Sequence, residues 1–319
     1  MDALSDVLKS VRLEGAVFVD AEFTDAWCLQ GKFGLARARK RLADAEHVVF
    51  FHFLLAGRCK IRLADGGETL EASAGDIVLF PHDDRHVMGS DLRIEALDTE
   101  ALAKAHDPVL NAIRMDGAGA KTHFVCSYLA CSSSVNRLLF GSLPRMLRIP
   151  IGDGPAVVPL RELLRLGVSQ TAAAQPGAES LLAKLAELLF VEALRRYAET
   201  LSSEGRGWLV AARDRSVGHA LALLHRGPTN GWTVAKLARE VGLSRSALAD
   251  RFNSLVGESP MQYLKRWRLA LAAQALRASR ETVLRVAERS GYESEQAFNR
   301  AFKREFGIPP AAWRRSRPA

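Results

Sequence analysis

The chain has 319 residues, 48% hydrophobic and 25% charged, which is the balance of a folded protein of about two domains. Aromatic residues at 7% and a mean hydropathy of -0.03 argue against wholesale disorder and membrane insertion. Residues 206–319 carry 21 Lys+Arg against 9 Asp+Glu, a net of +12, whereas the first 205 carry 23 against 27. A polyanion-binding C-terminal part joined to a mildly acidic N-terminal part is the simplest reading.

The first six residues, Met1-Asp-Ala-Leu-Ser-Asp6, have no basic stretch leading into an apolar one, so no secretory leader is expected. The longest nearly apolar run, Val48 to Gly57, is about half of a membrane span and contains His52. Four cysteines, none in a CxxC pair, fit a reducing cytoplasm. A basic cluster holds Arg37, Arg39, Lys40 and Arg41. On a strand, alternation puts Arg37, Arg39 and Arg41 on one face, suited to an anionic effector or to a solvated edge.

Val48 to Leu55 is β-branched and aromatic, and Arg58 to Leu63 alternates polar and apolar. Ala64-Asp-Gly-Gly-Glu68 supplies a hairpin turn before Thr69 to Ala72, and Ala74-Gly-Asp76 another before Ile77 to Phe80. Short strands with glycine turns predict an all-β domain, sandwich or barrel, over residues 1–150. Residues 150–159 read as a connector, followed by helices at Leu160–Gln170 and Gly177–Thr200. In the second, Leu181, Leu182, Leu185, Leu188, Leu189 and Ala193 make a stripe wide enough to bury on two sides. One side suits the β-domain and the other a second copy of the chain, so 151–205 is read as linker and dimerisation helices. Leu201 to Gly207 is the expected flexible joint.

An internal repeat lies in the basic part, 206–319. Ala238 and Gly242 match Ala287 and Gly291 at an offset of 49. Past one inserted residue, Ser244, Leu248, Phe252, Gly257 and Pro260 match Ser294, Phe298, Phe302, Gly307 and Pro310 at an offset of 50. The alanine lets two helices approach, the glycine takes the left-handed backbone that ends the first, and the serine caps the next. Residues at i, i+4 then pin the second helix to a core. This is the pattern of a helix-turn-helix, whose second helix enters the DNA major groove, at about 234–257 and again at 283–307. The segment Met261 to Arg277 joins the copies.

On these residues, about 215–317 resembles the AraC/XylS transcription regulators. The strongest match is Phe302-Lys-Arg-Glu-Phe-Gly-Ile-Pro-Pro-Ala-Ala-Trp-Arg314. The N-terminal half is similar to their cupin-type sensor domains through Phe51 to Gly57 and Ala74 to His86. The resemblance implies a multidomain α+β chain: a cupin-like β-barrel, a helical linker, and an all-α tandem helix-turn-helix domain. It further implies a one-component, effector-responsive regulator that binds double-stranded DNA as a homodimer, with RNA polymerase as a partner if it activates.

Carried onto this chain, the base-reading positions are Ser246, Ala249 and Asp250 in the first copy and Glu295, Gln296, Asn299 and Arg300 in the second. Gln and Asn pair bidentately with adenine, Arg with guanine, and Glu accepts from cytosine, so the second copy is the better reader. Arg245, Arg251, Arg266, Arg285, Lys303 and Arg304 are the phosphate candidates. In the sensor half the second cupin motif keeps Gly75, Pro81 and His86, with Asp83 in place of glycine. The first motif is degraded: Phe50 stands at its glutamate position. That argues against the alternative, a cupin-type metalloenzyme with an appended nucleic-acid-binding domain, and no catalytic residue is assigned. His52, His82, His86 and Cys126 remain as candidates for a zinc ion, a small-molecule effector or an oxidant, the alternative being buried histidines hydrogen-bonded to backbone beside an inert core cysteine. Strand alternation lets only one of His123 and Cys126 point inward.

Overall fold

The computed structural model describes residues 3–10, 13–24, 26–40, 42–43, 45–99, 111–131, 139–152, 157–173, 175–202 and 205–316. They form two compact units. One holds the strands and two long helices; the other holds the C-terminal helices, helix α1 (Ala3–Ser10) and residues 139–143.

In the first unit, β1 (Leu13–Phe23), β3 (His47–Ala56), β6 (Asp76–Phe80), β9 (Asn111–Met115), β10 (Thr122–Cys131) and β11 (Leu147–Pro150) make one sheet, ordered β11-β6-β3-β10-β1-β9. A second sheet, ordered β5-β4-β7-β2-β8, comprises β2 (Cys28–Gly31), β4 (Arg58–Leu63), β5 (Leu70–Ser73), β7 (His86–Gly89) and β8 (Leu97–Asp98). The expected hairpin is β4 against β5, registering Arg58 with Ser73 and Ile61 with Leu70. No ladder joins the two sheets among the described residues, so the cupin-like domain is an open pair of sheets rather than a closed barrel.

Apolar residues at every second position of the facing strands fill the space between the sheets. Phe33 stacks on Tyr128 with centroids 3.8 Å apart, and Trp27 stacks on Phe23 at 4.5 Å. The basic cluster is no strand. Leu35–Ala38 forms a short helical turn, α2, so positions two apart do not share a face. Arg37 lies over the Phe33 ring at 5.0 Å, and Arg39 donates through Nε to the Ala45 carbonyl at 3.0 Å. Arg41 lies outside the described residues.

Helices α3 (Val157–Ala172) and α4 (Ala178–Thr200) complete this unit. Gly15 lets α4 sit close on β1, since a Cβ there would stand 2.7 Å from the Ala183 carbonyl oxygen. On α4, Leu182, Leu185, Ala186, Leu189 and Phe190 are buried while Leu188 is 53% exposed.

The second unit contains α5 (Trp208–Arg213), α6 (Arg215–Arg226), α7 (Val234–Glu240), α8 (Arg245–Val256), α9 (Pro260–Ala278), α10 (Val283–Arg289), α11 (Glu295–Phe306) and α12 (Pro310–Arg315). The long joining helix α9 starts with a capping box: Ser259 accepts from the Gln262 N–H, and the Gln262 side chain accepts from the Ser259 N–H.

Candidate functional site

The repeat folds as two copies of one device. Thr233 caps α7 and Thr282 caps α10, accepting the N–H of Lys236 at 3.1 Å and of Arg285 at 3.2 Å. Gly242 and Gly291, with φ of 72° and 78°, turn the chain out of these helices. Ser244 and Ser294 then cap α8 and α11, accepting the N–H of Ala247 and of Ala297, each at 3.2 Å. Leu248, Phe252, Phe298 and Phe302 are fully buried. Around the second copy, Phe298 and Phe302 pack with Leu269, Leu276 and Val286, and Trp313 closes the core by donating to the Ala273 carbonyl at 3.1 Å. In the first copy, Trp208 donates to the Tyr263 hydroxyl at 2.9 Å, and that hydroxyl meets His225 Nε2 at 2.8 Å.

With that face fixed inward, the opposite face of each second helix is left outside. On α11, Glu295, Gln296 and Arg300 are exposed and Asn299 is half-buried; on α8, Ser246 and Asp250 are exposed and Ala249 is half-buried. The cations divide into two groups. Arg251 binds Asp214 at 2.6 Å, tying α8 to the residue that caps α6. Arg266 binds Glu258 at 2.7 Å and stands 3.7 Å from Glu305, and Arg285 stands 3.4 Å from Glu288. Arg245, Arg300, Lys303 and Arg304 are exposed and belong to no ion pair among the described residues.

In the sheet unit, Cys126 pairs with His52 across β10 and β3, and His86 faces them from β7 of the other sheet. Cys126 Sγ stands 3.0 Å from His52 Nδ1, His52 Nε2 stands 2.7 Å from His86 Nε2, and His86 Nδ1 stands 3.0 Å from the Asp84 carbonyl oxygen. A carbonyl can only accept, so His86 Nδ1–H donates to it and His86 Nε2 is bare. His52 Nε2–H therefore donates to His86, and His52 Nδ1 accepts the Cys126 S–H. The result is a chain of three neutral groups with every bond made. Burial pushes the Cys126 thiol well above its usual value, His52 well below and His86 down to about 4. His82 is exposed, its ring 6.1 Å from that of His47, and takes no part. His123 points to the opposite face of β10 from Cys126, as alternation requires.

The profile of a family described as Cupin matches residues 2–199, and that of a family described as Helix-turn-helix domain matches residues 237–316. Over 317 residues the chain is 31% identical to an AraC-like transcription regulator of Streptomyces lividans, spanning 99% of this chain and 98% of that one. It is 29% identical over 323 residues to the HTH-type transcriptional regulator AlkR of Acinetobacter baylyi, spanning 98% and 99%. The chain belongs to the AraC-type transcription regulators. Among solved structures, the DNA-binding domain of AdpA in complex with a target DNA aligns over 32% of this chain and 91% of that one, at 32% identity and a TM-score of 0.31.

An AraC-type protein is a DNA-binding transcription regulator and not an enzyme, and both recognition helices here are built accordingly. In the cupin half, His52, His86 and Cys126 do not surround a common point. Cys126 sits on one nitrogen of His52 and His86 on the other, so the three donors lie in a line instead of around a point. Among the described residues no group of three His, Cys, Asp or Glu side chains converges for a metal ion. No helix of the described residues is long and apolar enough to cross a membrane. Asp83 explains its place in the altered motif: its φ of 55° is the left-handed conformation glycine usually supplies. Its carboxylate accepts the N–H of Phe33 at 2.8 Å and of Gly34 at 2.6 Å, which offsets the strain.

Proposed function

We propose that this regulator reads its operator mainly with α11, through Glu295, Gln296, Asn299 and Arg300, with Ser246, Ala249 and Asp250 of α8 contributing less. One observation carries this. The exposed face of α11 offers bidentate partners for adenine and guanine, whereas α8 offers a hydroxyl, a methyl group and a carboxylate. Arg245, Lys303 and Arg304 hold phosphates. Arg251, Arg266 and Arg285 contact the backbone only by sharing charge with Asp214, Glu258 and Glu288, so their contribution is smaller. Arg300→Ala and Asn299→Ala should each weaken specific binding by ~1–3 kcal/mol and relax base choice locally. Ala249→Gly should cost less. Gel-shift titration on the footprinted upstream DNA of its own gene checks this; unchanged affinity and specificity in both α11 variants refute it.

The protein acts in the cytoplasm as a homodimer on paired half-sites, answers a small-molecule effector in its cupin half, and engages RNA polymerase where it activates. Support for the dimer comes from large apolar side chains left outside on the linker helices: Leu188 on α4, and Leu163 and Leu166 on α3, 44% and 48% exposed. Sedimentation of Leu188→Glu against the unaltered chain tests it; an unchanged molecular mass removes α4 from the interface.

A further inference from the structure

On the face of the six-stranded sheet turned away from its partner sheet, four adjacent strands present Leu55, His123, Asp20 and Arg114 in the order β3, β10, β1, β9. Two irregularities make this row. Strand β1 shifts register against β10 between Val17 and Val19. Ala16 before the shift and Ala21 and Phe23 after it therefore all join the core between the sheets, and Asp20 is delivered to the other face. A second shift, between His123 and Phe124, leaves Leu55 without a cross-strand partner. Helix α3 covers the row with Arg165 and Val168, and the space beneath it is a cavity of about 400 Å³. Small-molecule sites span ~300–1,000 Å³. Gly167 brings α3 hard against α4, a Cβ there standing 2.7 Å from Leu182 Cδ2, so a molecule under α3 is felt by both linker helices.

The charges in the cavity are unequal. Asp20 is 2% exposed and already satisfied: Oδ1 accepts from His123 Nε2 at 2.6 Å and Oδ2 from Arg114 Nη2. Burial alone would raise its carboxyl, but the bonds from His123 and Arg114 outweigh that and hold it below the usual carboxylate range. Its charge is thus cancelled by Arg114, and a cationic ligand gains nothing from it. Arg165 is a paired cation whose partner, Glu162, is itself 58% exposed, so an incoming anion competes with that carboxylate for it. Nη1 meets Glu162 in a solvent-exposed pair, and Nη2 reaches the Leu55 carbonyl only at 3.5 Å, the outer limit of a hydrogen bond. Leu55, Ala112 and Val168 supply the apolar wall.

We propose that this cavity binds a small organic anion, a monocarboxylate with an apolar body, its carboxylate on Arg165 and its body against Leu55, Ala112 and Val168. Its regulatory meaning rests on the effector-responsive reading above; the binding itself does not. The test is calorimetry on the full-length protein without DNA, using octanoate, benzoate and neutral octanamide as probes. At least one of the two anions should bind saturably at one site per chain. Octanamide should bind octanoate's site about tenfold more weakly or worse, as loss of a charge-assisted bond requires. Arg165→Gln should lose at least about tenfold for the anion and little for the amide. Ala112→Trp and Val168→Trp, each filling the cavity, should abolish binding while circular dichroism and operator binding stay unchanged. Failure of both anions to bind overturns the proposal, as does equal binding in the two folded tryptophan variants. Because the readout contains no DNA, this failure is told apart from a failure of operator reading.

Discussion

The chain from Cys126 through His52 to His86 holds three titratable groups neutral in an apolar interior, and acid is what it answers to. Burial sets the folded His86 at about 4 and His52 well below its usual value, the neighbouring imidazole lowering His52 further. In the unfolded chain both titrate near ~6.5. The folded values lie below the unfolded ones, so the stability this supplies is complete above ~6.5 and is lost as pH falls toward about 4. Each excluded proton contributes a slope of ~1.4 kcal/mol per pH unit in that window. Stability measured by urea unfolding from pH 7.5 down to about 4.5 should therefore fall steeply. In His86→Gln, whose amide oxygen still accepts from His52, the slope should be smaller by about one proton. Identical slopes in the two proteins would remove His86 from this account. The same chain leaves Cys126 a protonated thiol, a poor nucleophile, which weighs against its being the first target of an oxidant.

At the scale of elements, each recognition helix is fixed by a left-handed glycine behind it and a serine cap in front. Replacing Gly291, at φ 78°, with valine forces a β-branched residue into that conformation. The expected loss is ~1–2 kcal/mol of stability in the second helix-turn-helix, with weaker operator binding. Chemical denaturation and gel shift read it, and an unperturbed variant would mean the turn relaxes freely. Such elements were legible because their signals are local. The repeat spacing placed α7, α8, α10 and α11, and alternation with glycine turns placed β3 to β6 within a residue or two. What sequence missed is what depends on pairing between distant segments. The bulge at Val17–Val19 leaves no composition signal, yet it decides that Asp20 faces α3 and not the core. Alternation correctly separated His123 from Cys126, but it gave no hint that His123 would meet Asp20. Arg37 and Arg39 read as a strand face because spacing by two was assumed; one helical turn at Leu35–Ala38 removes it.

The molecule as a whole is not divided where composition changes. Helix α1 belongs to the C-terminal unit, packed on α5 and α6, with Ala3 at 1% and Val7 at 0% exposure and Asp6 4.0 Å from Arg226. Helix α1 therefore completes the core of the DNA-binding unit, and a fragment beginning at Arg206 lacks that cover. Such a fragment should fold on its own apolar cores, those around Trp267 and Phe302, but with reduced stability. A point change isolates the effect in the full chain. Val7→Ala removes two buried methyl groups, ~1.6 kcal/mol at ~0.8 each. The tryptophans make the readout specific, since Trp208, Trp232, Trp267 and Trp313 lie in the C-terminal unit and Trp27 in the sheet unit. Val7→Ala should thus shift the tryptophan-fluorescence transition in denaturant, although the substitution is about two hundred residues away from the nearest of those four reporters. A transition that stays where the unaltered protein has it would show that α1 adds nothing to the stability of the DNA-binding unit.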